Sequence, residues 1–371
     1  IYFSCCANRA PYDFGRYHFS AHLPEKEAGM SDNSASQRKD SHLDLARKTL
    51  AESQNTKRPL EAIELPYCAL PELNLDEIDI TTRFLSRQLS APLLITGMTG
   101  GTARADKLNA ALVEVACQHQ IAVGLGSQRA SLEGGRSQKN LRKNNPKACL
   151  IGNLGAVQII GDDGFALAQR AVADIEADAL AIHLNPLQEA IQPEGDYDWQ
   201  GVEVAITRLV DKLGCPILVK EVGAGLSASV VRRLYAAGVR YVDVAARGGT
   251  NWALIEWLRQ NPDKQALYDP FLSMGIDLPD AVRGARHAAP DITIIASGGV
   301  QNGLDIAKTL YLGADMGGMA GVMLQALEDE ARGLHPSRLS EKIEQVQTQL
   351  RLACFLTGSK SARDLQKLPI L

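Results

Sequence analysis

Four residues that can bind a ligand or carry a proton lie within seven positions near the middle of the chain. His183, Asn185, Gln188 and Glu189 follow residues 179–182, a short apolar run that is typical of a buried strand. In parallel sheets and barrels, ligands bind beyond the carboxyl ends of the strands. We therefore interpret this segment as one wall of a binding site.

Each of the four residues also has a structural explanation when it is taken alone. A single histidine is more often a satisfied structural residue, and Asn185 could cap the turn at Pro186. Gln188 has no useful pKa and is a poor acid or base by itself. Glu189 offers hard oxygen ligands, which suit a Mg2+ that keeps waters and binds a substrate phosphate. The prediction of a site depends on their shared position at one strand end.

Glycines follow the last two predicted strands, in Ser297-Gly298-Gly299 and Met319-Ala320-Gly321. Loops at these places in barrels often bind a phosphate through backbone N–H groups, although glycines also serve simple tight turns. Lys220 ends the fifth predicted strand. Its ammonium could stabilise a reduced flavin, form a Schiff base as in aldolases, or pair with Glu221 or another carboxylate at the top of the barrel.

Repeated strand-then-turn units must position these residues. We predict eight strands at residues 91–95, 121–126, 148–152, 179–182, 216–219, 240–244, 292–296 and 314–319. We predict amphipathic helices between them at residues 103–119, 165–177, 202–213, 227–237, 302–312 and 322–333. Continuous apolar strands in this number favour an α/β fold of the TIM (β/α)8 barrel type, and an open doubly wound sheet is the alternative.

The bulk composition excludes several classes of protein. The chain has 371 residues, 45% of them hydrophobic, and a formal net charge of -4, so nothing in its charge indicates nucleic-acid binding. No apolar run approaches the roughly 20 residues of a membrane helix. The seven cysteines are scattered without a C-x-x-C pair, which predicts reduced thiols and a cytoplasmic location.

The ends of the chain differ from its middle. Residues 1–29 show no helical or strand period, and we expect a disordered or non-native extension before a single barrel domain, residues 30–371. Arg38 and Lys39 open a short helix on an N-terminal arm. They are either a solvated charged end or cations that close over a phosphate. Residues 261–278 are predicted to be an insertion, and residues 337–356 a helical tail that permits an oligomer contact.

Taken together, five motifs resemble the type 2 isopentenyl-diphosphate isomerases, and the resemblance extends over residues 38–356. The motifs are Arg38-Lys39, Met98-Thr99-Gly100-Gly101, Gly126-Ser127-Gln128-Arg129, His183-x-Asn185-x-x-Gln188-Glu189 and Gly248-Gly249-Thr250. Each motif is weak alone, but the set in this order is specific.

The resemblance implies a barrel of the FMN-binding type that interconverts isopentenyl diphosphate and dimethylallyl diphosphate. It further implies that FMN must be reduced, with NADPH as the reductant, and that Mg2+ is required. Reduced FMN would be the proton carrier, with Gln188 positioning or assisting. The group that removes the C2 proton stays open.

The resemblance also assigns roles to individual residues. Catalytic roles fall to His183, Asn185 and Gln188. Substrate binding falls to Arg38, Lys39, Ser127, Gln128, Arg129, His183 and Gln188. Glu189 would bind the metal. FMN would be held by Thr96, Gly97, Met98, Thr99, Ser127, Asn153, Lys220, Thr250, Gly298, Gly299, Ala320 and Gly321. This chain departs from some members at Ala245, where a serine can contact the flavin, and the role of His42 is open.

Two other functions are compatible with the same barrel. An FMN-dependent hydroxy-acid oxidase or dehydrogenase needs a histidine base and a carboxylate-binding arginine, and no histidine follows the sixth predicted strand. A non-catalytic flavin-binding barrel would bind FMN without turnover. A barrel with a nucleophilic cysteine is disfavoured, since Cys149 and Cys215 lie within or just before strands. We expect small-molecule substrates, no membrane or nucleic-acid partner, and a homotetramer or homo-octamer.

Overall fold

Eight parallel strands close into a barrel in the computed structural model, which describes residues 42–49 and 58–369. A two-stranded hairpin, β1 (Thr82–Phe84) and β2 (Arg87–Leu89), precedes it. The barrel strands are β3 (Leu93–Ile95), β4 (Ala122–Gly124), β5 (Cys149–Gly155), β6 (Ala179–Leu184), β7 (Ile217–Glu221), β8 (Tyr241–Asp243), β9 (Thr293–Ala296) and β10 (Met316–Met319). They pair in chain order, and β10 pairs with β3. The predicted TIM barrel is confirmed, and the open sheet is wrong.

Helices cover the outside of the barrel and connect its strands. They are α1 (residues 42–49), α2 (Ala103–Gln118), α3 (Arg129–Glu133), α4 (Asn140–Asn144), α5 (Gly161–Ile175), α6 (Pro186–Ile191), α7 (Val202–Lys212), α8 (Ala228–Ala236), α9 (Trp252–Leu258), α10 (Pro262–Tyr268), α11 (Leu278–Ala288), α12 (Gly303–Tyr311), α13 (Gly321–Leu327) and α14 (Pro336–Leu356). Short 3-10 helices add Pro59–Ala62, Leu75–Glu77, Ala156–Ile159, Asp269–Phe271 and Ala362–Lys367.

The strands are apolar because both of their faces are covered. All seven residues of β5 are buried, as are all residues of β3, β4 and β10. Alternate residues point into the barrel or toward the helices, so a strand buried on both sides reads as a continuous apolar run. This is why the strands could be recognised from the sequence.

Three strands, β5, β6 and β7, extend further than their apolar runs predict. β6 includes His183 and Leu184, and β7 includes Lys220 and Glu221, because backbone pairing continues at His183 with Lys220 and Leu184 with Glu221. Ladder hydrogen bonds are made by the main chain and do not require apolar side chains. His183 and Lys220 therefore lie near the carboxyl ends of barrel strands, not in the loops that follow them.

The hairpin closes one end of the barrel. Phe84, Leu85 and Leu89 are buried and belong to a core cluster with inward-facing residues of the barrel strands, including Leu94 and Ile295. Bulky apolar side chains fill this end as a packed core. The polar residues of the strand ends are left to the opposite, carboxyl-terminal end.

The predicted insertion and tail are both present as helical segments. The insertion contains α10, and the tail is α14, whose apolar face is buried through Leu339, Ile343, Val346 and Leu350. A Cβ atom added at Gly303 of α12 would meet the Val346 carbonyl oxygen at 2.1 Å, so glycine allows these helices to pack closely. The helix predicted for residues 322–333 ends earlier, because the chain turns out at Glu328, which is bridged to Leu334.

The domain boundaries remain a prediction. Residues 1–29 lie outside the described residues, and those that are described all fall in one compact unit, Ala35–Leu371. Within the described ranges, no helix combines the length and apolar character needed to cross a membrane.

Candidate active site

A cavity of about 530 Å³ opens at the carboxyl ends of the barrel strands. It brings together almost all of the predicted site residues that the structure describes. Those that line it are Thr96, Gly97, Met98, Thr99, Ser127, Arg129, Asn153, His183, Asn185, Gln188, Glu189, Lys220, Thr250, Gly298, Gly299, Ala320 and Gly321. Arg38 and Lys39 lie outside the described residues.

Gln128 is the exception among the described residues, since it does not line the cavity. It is 1% exposed and is fully engaged with the backbone. Its Nε2 donates to the Ala171 carbonyl at 3.1 Å, and its Oε1 accepts from the Asn153 N–H at 3.0 Å. This geometry disagrees with direct substrate contact by Gln128, because neither end of its amide faces the ligand space. It supports instead a role in holding Asn153 in place.

His183 is oriented by Asn153 on the neighbouring strand. The Asn153 amide nitrogen donates to the Leu125 carbonyl at 2.9 Å, which turns its oxygen toward His183 Nδ1 at 2.8 Å. We assign the Nδ1 proton from this network, since the amide oxygen can only accept. The histidine ring is thus fixed in one orientation and one tautomer when it is neutral.

Asn185 aligns the two residues that follow it on α6. Its Nδ2 donates to Gln188 Oε1 at 3.2 Å and to Glu189 Oε1 at 2.8 Å. It occupies the N-cap position of α6 but makes no side-chain bond to the helix backbone. The alternative that Asn185 simply caps the turn is therefore wrong, and its amide serves the side chains of the site.

The other end of Gln188 is held by a buried carboxylate. Gln188 Nε2 donates to Glu256 Oε1 at 3.1 Å, and Glu256 is fully buried on α9. His42 Nε2 lies 3.1 Å from the same carboxylate, and Arg259 bonds its second oxygen. Burial alone would raise the pKa of Glu256, but His42, Arg259 and Gln188 outweigh burial and lower it. The Gln188 amide is consequently fixed at both ends.

Sequence reasoning did not identify Glu256 and left His42 open. One signal was available, since Glu256 is the single charged residue in the otherwise apolar helix α9, whose sequence is WALIEWL. A charge in such a helix must be paired when the helix is buried. The partner His42 could not be found this way, because the two residues are far apart in the sequence.

Glu189 is the candidate metal ligand. Its Oε2 accepts from the Asp196 N–H at 2.9 Å, and its other oxygen accepts from Asn185. The described residues contain no cluster of three His, Cys, Asp or Glu side chains that could hold a metal. This donor set fits Mg2+, which is commonly held by one or two carboxylates together with waters and substrate phosphates.

Lys220 is buried in the cavity floor. Its ammonium donates to the Glu221 carbonyl at 2.6 Å. Burial lowers the pKa of Lys220, and the charges of Asp243 and Glu221 act against this lowering. The Glu221 carboxylate instead accepts from the backbone N–H groups of the next four residues, for example Val222 at 2.7 Å. The expected alternative, a side-chain pair of Lys220 with Glu221, is thus not the arrangement found.

The two glycine loops after β9 and β10 form the opposite side of the cavity. Gly298 and Gly299 have φ angles of 114° and 90°, which L side chains rarely adopt. A Cβ atom at Gly298 would meet the Ala246 carbonyl oxygen at 2.0 Å, and one at Gly299 would meet that of Gly248 at 2.2 Å. Glycine is needed here for tight packing, and it leaves the backbone of this loop without side chains.

Arg129 stands at the cavity mouth. Its side chain is 45% exposed and lies 3.0 Å from Glu133 and 3.8 Å from Asp196. Surface pairs of this kind are weak, so the guanidinium can turn toward an anionic ligand at little cost. Ala245 also lines the cavity.

Comparison with known proteins agrees with the flavin-type barrel. Residues 164–370 match the model of the FMN-dependent dehydrogenase family. A lactate oxidase structure from Pediococcus acidilactici matches with a TM-score of 0.63 at 14% identity, over 89% of this chain and 94% of that one. A mandelate oxidase variant matches with a TM-score of 0.60 at 13% identity, over 89% and 91%. At such identities these structures share the fold alone.

Curated relatives are much closer in sequence. Isopentenyl-diphosphate delta-isomerase of Xanthobacter autotrophicus is 44% identical over 92% of this chain and 99% of its own length. The protein of the same name from Pseudescherichia vulneris is 44% identical over 92% and 98%. The one from Rickettsia prowazekii is 39% identical over 90% and 97%. This chain is an isomerase that belongs to the FMN-dependent, type 2 family of isopentenyl-diphosphate delta-isomerases.

Proposed function

We propose that this protein interconverts isopentenyl diphosphate and dimethylallyl diphosphate by a 1,3-allylic proton shift that requires reduced FMN and Mg2+. The observation that carries the proposal is one cavity that joins two kinds of wall. One wall presents His183, Asn185, Gln188 and Glu189, the opposite wall presents the glycine loops, and Lys220 lies in the floor between them. The relatives named isopentenyl-diphosphate delta-isomerase supply the substrate class.

The residues of the second wall fit FMN. The Gly298-Gly299 and Ala320-Gly321 loops would bind its phosphate through backbone N–H groups. Thr96 to Thr99, Ser127, Asn153, Lys220 and Thr250 would hold the flavin ring. Bound reduced FMN supplies a transferable proton and an electron-rich ring face. The protein must then hold the alkene, exclude water and stabilise the diphosphate.

The diphosphate would be held at the mouth of the cavity. Arg129, Ser127 and His183 line this region, and Arg38 and Lys39 of the N-terminal arm would complete the clamp. Gln128 would contribute by holding the Asn153 backbone, while Asn153 orients His183. A clamped diphosphate is important because allylic diphosphates ionise readily.

Gln188 and Asn185 would face the reacting carbons. Both amides are fixed by hydrogen bonds, so Gln188 presents a defined edge to the substrate. An amide is too weak an acid to protonate an alkene alone, so we assign Gln188 to positioning or proton assistance. The proposal therefore does not require a strongly acidic side chain in the cavity.

Glu189 would bind Mg2+ together with the substrate diphosphate and waters. We expect Glu189→Gln to raise the Mg2+ concentration needed for half-maximal activity about tenfold, because an amide oxygen is a weaker ligand than a carboxylate. Glu203→Gln, on the outer helix α7, is the control. An unchanged Mg2+ titration in the Glu189 variant would contradict the assignment.

The direct test uses purified protein with FMN that has been reduced by NADPH without oxygen. Isopentenyl diphosphate and Mg2+ are added in heavy water, and the products are followed by NMR. We expect dimethylallyl diphosphate carrying deuterium, with no net oxidation of the flavin during turnover. A protein that binds FMN but forms no product would instead be the non-catalytic flavin-binding barrel.

The fold similarity to hydroxy-acid oxidases favours one rival, which the local chemistry does not support. Arg247 follows β8, but its guanidinium pairs with Asp277 at 2.7 Å and bonds the Ser273 carbonyl. It is therefore engaged with the insertion. Oxidation of lactate or mandelate by the FMN-loaded protein would revive this rival.

A cysteine nucleophile has no support from the two cysteines considered. Burial raises the pKa of Cys149 to about 12 and also raises the pKa of Cys215. A thiol with such a pKa forms little thiolate at neutral pH. The cytoplasmic location and the homotetramer or homo-octamer are further parts of the proposal, and light scattering of the purified protein tests the assembly.

A further inference from the structure

A second carboxylate lies beside Lys220 in the floor of the cavity. Lys220 of β7 is in register with Asp243 of β8 on one side and with His183 of β6 on the other. Residues in register on adjacent parallel strands project to the same face, and Lys220 lines the cavity. Asp243 therefore lies on the inner side of the barrel, on the same face as the Lys220 side chain.

Only one half of the Asp243 carboxylate is satisfied by hydrogen bonds. Oδ1 accepts from Ser297 Oγ at 2.6 Å and from the Ala245 N–H at 3.1 Å. Oδ2 is one of two buried side-chain polar atoms within the described residues that have no hydrogen-bond partner. Asp243 is 1% exposed, so its charge needs a neighbouring cation.

Lys220 is the cation whose charge acts on Asp243. Burial raises the pKa of Asp243, and the charge of Lys220 acts against that rise. Burial lowers the pKa of Lys220, and the charge of Asp243 acts against that fall before the charge of Glu221. Each residue thus favours the ionised form of the other.

The other titratable groups near Lys220 are less suited to this role. Four backbone N–H groups occupy Glu221 Oε2, so that carboxylate is already neutralised by its own loop. His183, the register partner on β6, is bound through Nδ1 to Asn153 and carries no negative charge. Asp243 is the carboxylate with an oxygen still available to the ammonium.

We infer that Asp243 is a positioning residue of the flavin site that keeps Lys220 protonated before the flavin is reduced. The inference rests on the proposed FMN site. With Asp243 ionised, the ammonium is present in both redox states. Without Asp243, the buried lysine would lose its proton beside oxidised FMN and regain it when the reduced flavin becomes anionic.

The test is the pH dependence of the FMN midpoint potential. FMN-loaded protein is reduced stepwise with dithionite across the neutral and mildly alkaline range. In Asp243→Asn, Asn Oδ1 can keep the bonds from Ser297 and Ala245 while the charge is lost. We expect a steeper dependence of potential on pH than in the unchanged protein, because Lys220 then takes up a proton as the flavin is reduced.

Two further variants separate charge from packing. Ser297→Ala keeps the carboxylate but removes a hydrogen bond that lowers the pKa of Asp243, and we expect a smaller steepening than in Asp243→Asn. In a Lys220→Met background, adding Asp243→Asn should leave the pH dependence unaltered, because no lysine remains to titrate. The inference would be overturned if Asp243→Asn steepened the pH dependence of the potential equally with and without Lys220. It would also be overturned if Asp243→Asn had no effect on this dependence in either background.

Failure to fold is also informative. If Asp243→Asn alone does not fold, the double variant Lys220→Met with Asp243→Asn should fold, since it removes both buried charges together. A double variant that also fails would assign Asp243 to the fold alone and overturn the inference. Absence of FMN binding by the unchanged protein would instead refute the proposed function.

Discussion

Asn185 shows how one side chain can organise a reaction centre. From a single amide nitrogen it donates to both Gln188 and Glu189, which lie one turn further along α6. The proposed metal ligand and the proposed reacting wall are thereby coupled, so a change at one is felt by the other. Glu256 completes the arrangement by accepting a hydrogen bond from the Gln188 amide nitrogen.

The length of Gln188 is essential to this geometry. We expect Gln188→Asn to lower kcat about 100-fold while FMN stays bound, because the shorter amide cannot reach Asn185 and Glu256 together. Gln345→Asn, an exposed substitution on α14, should have no effect. Steady-state kinetics and the flavin absorption spectrum give the two readouts, and comparable turnover in the Gln188 variant would remove Gln188 from the mechanism.

Glu256 makes the stability of the folded protein depend on pH. Its folded pKa is lowered from the ordinary value of 4.5, so its ionised form stabilises the protein above that value. This contribution is lost as the pH falls through the folded pKa. We expect Glu256→Gln to lower Tm by several degrees at neutral pH, and the difference to shrink in acid.

Thermal melts of both proteins at several pH values measure this effect. Removing one partner of a buried ion pair typically costs about 3–5 kcal/mol. Glu344→Gln, at an exposed position of α14, is the matched control and should show no such trend. A Tm difference that stays constant from neutral to acid pH would contradict the assignment of the charge to Glu256.

At the scale of elements, the glycine loop after β9 is supported from behind by a distant segment. Arg58 donates to the Gly299 carbonyl at 2.7 Å and to the Asp305 carboxylate at 2.5 Å. The same carboxylate accepts from the Gln301 N–H at 2.9 Å. One arginine therefore ties the loop to the start of α12.

We expect Arg58→Met to weaken FMN binding about tenfold, because a lost charge-assisted hydrogen bond loosens the loop. The quenching of FMN fluorescence on addition of apoprotein measures the affinity. Arg338→Met, at an exposed position of α14, should bind FMN as the unchanged protein does. Equal affinities in the two variants would show that the loop holds its shape without Arg58.

A second tie joins helix α1 to the barrel. Glu328 is almost fully buried and accepts from Arg47 of α1 at 3.0 Å and from Arg104 of α2 at 2.7 Å. Arg47 also lines the cavity. Since α1 follows the arm that carries Arg38 and Lys39, this tie would set where the proposed clamp begins.

We expect Glu328→Gln to raise KM for isopentenyl diphosphate about tenfold with a smaller change in kcat, because α1 and the proposed clamp that precedes it would be held less firmly. The neighbouring Glu330→Gln, at an exposed position, provides the matched control. If kcat falls and KM does not change, Glu328 affects the reacting geometry and not the arm.

For the whole molecule, the barrel could be predicted because its eight strands are buried on both sides and interrupted by small residues. The cavity could be predicted because the carboxyl ends of parallel strands meet, which gathers residues as distant as Thr96 and Ala320. The bond between His42 and Glu256 could not, since it depends on how α1 docks. The resemblance implied substrate binding for Gln128, which stands in one motif with Ser127 and Arg129, but its side chain bonds the Ala171 carbonyl and the Asn153 N–H instead.

The closed end of the barrel also determines the order in which the reductant and the substrate can bind. Phe84, Leu85 and Leu89 fill the end opposite the cavity. The substrate and the reductant of the flavin would therefore enter and leave through the mouth beside Arg129. With FMN bound, a space of about 530 Å³ would not hold a dinucleotide and a prenyl diphosphate together. Reductant and substrate would therefore take turns, and a prenyl diphosphate in place would protect the flavin from further exchange of electrons.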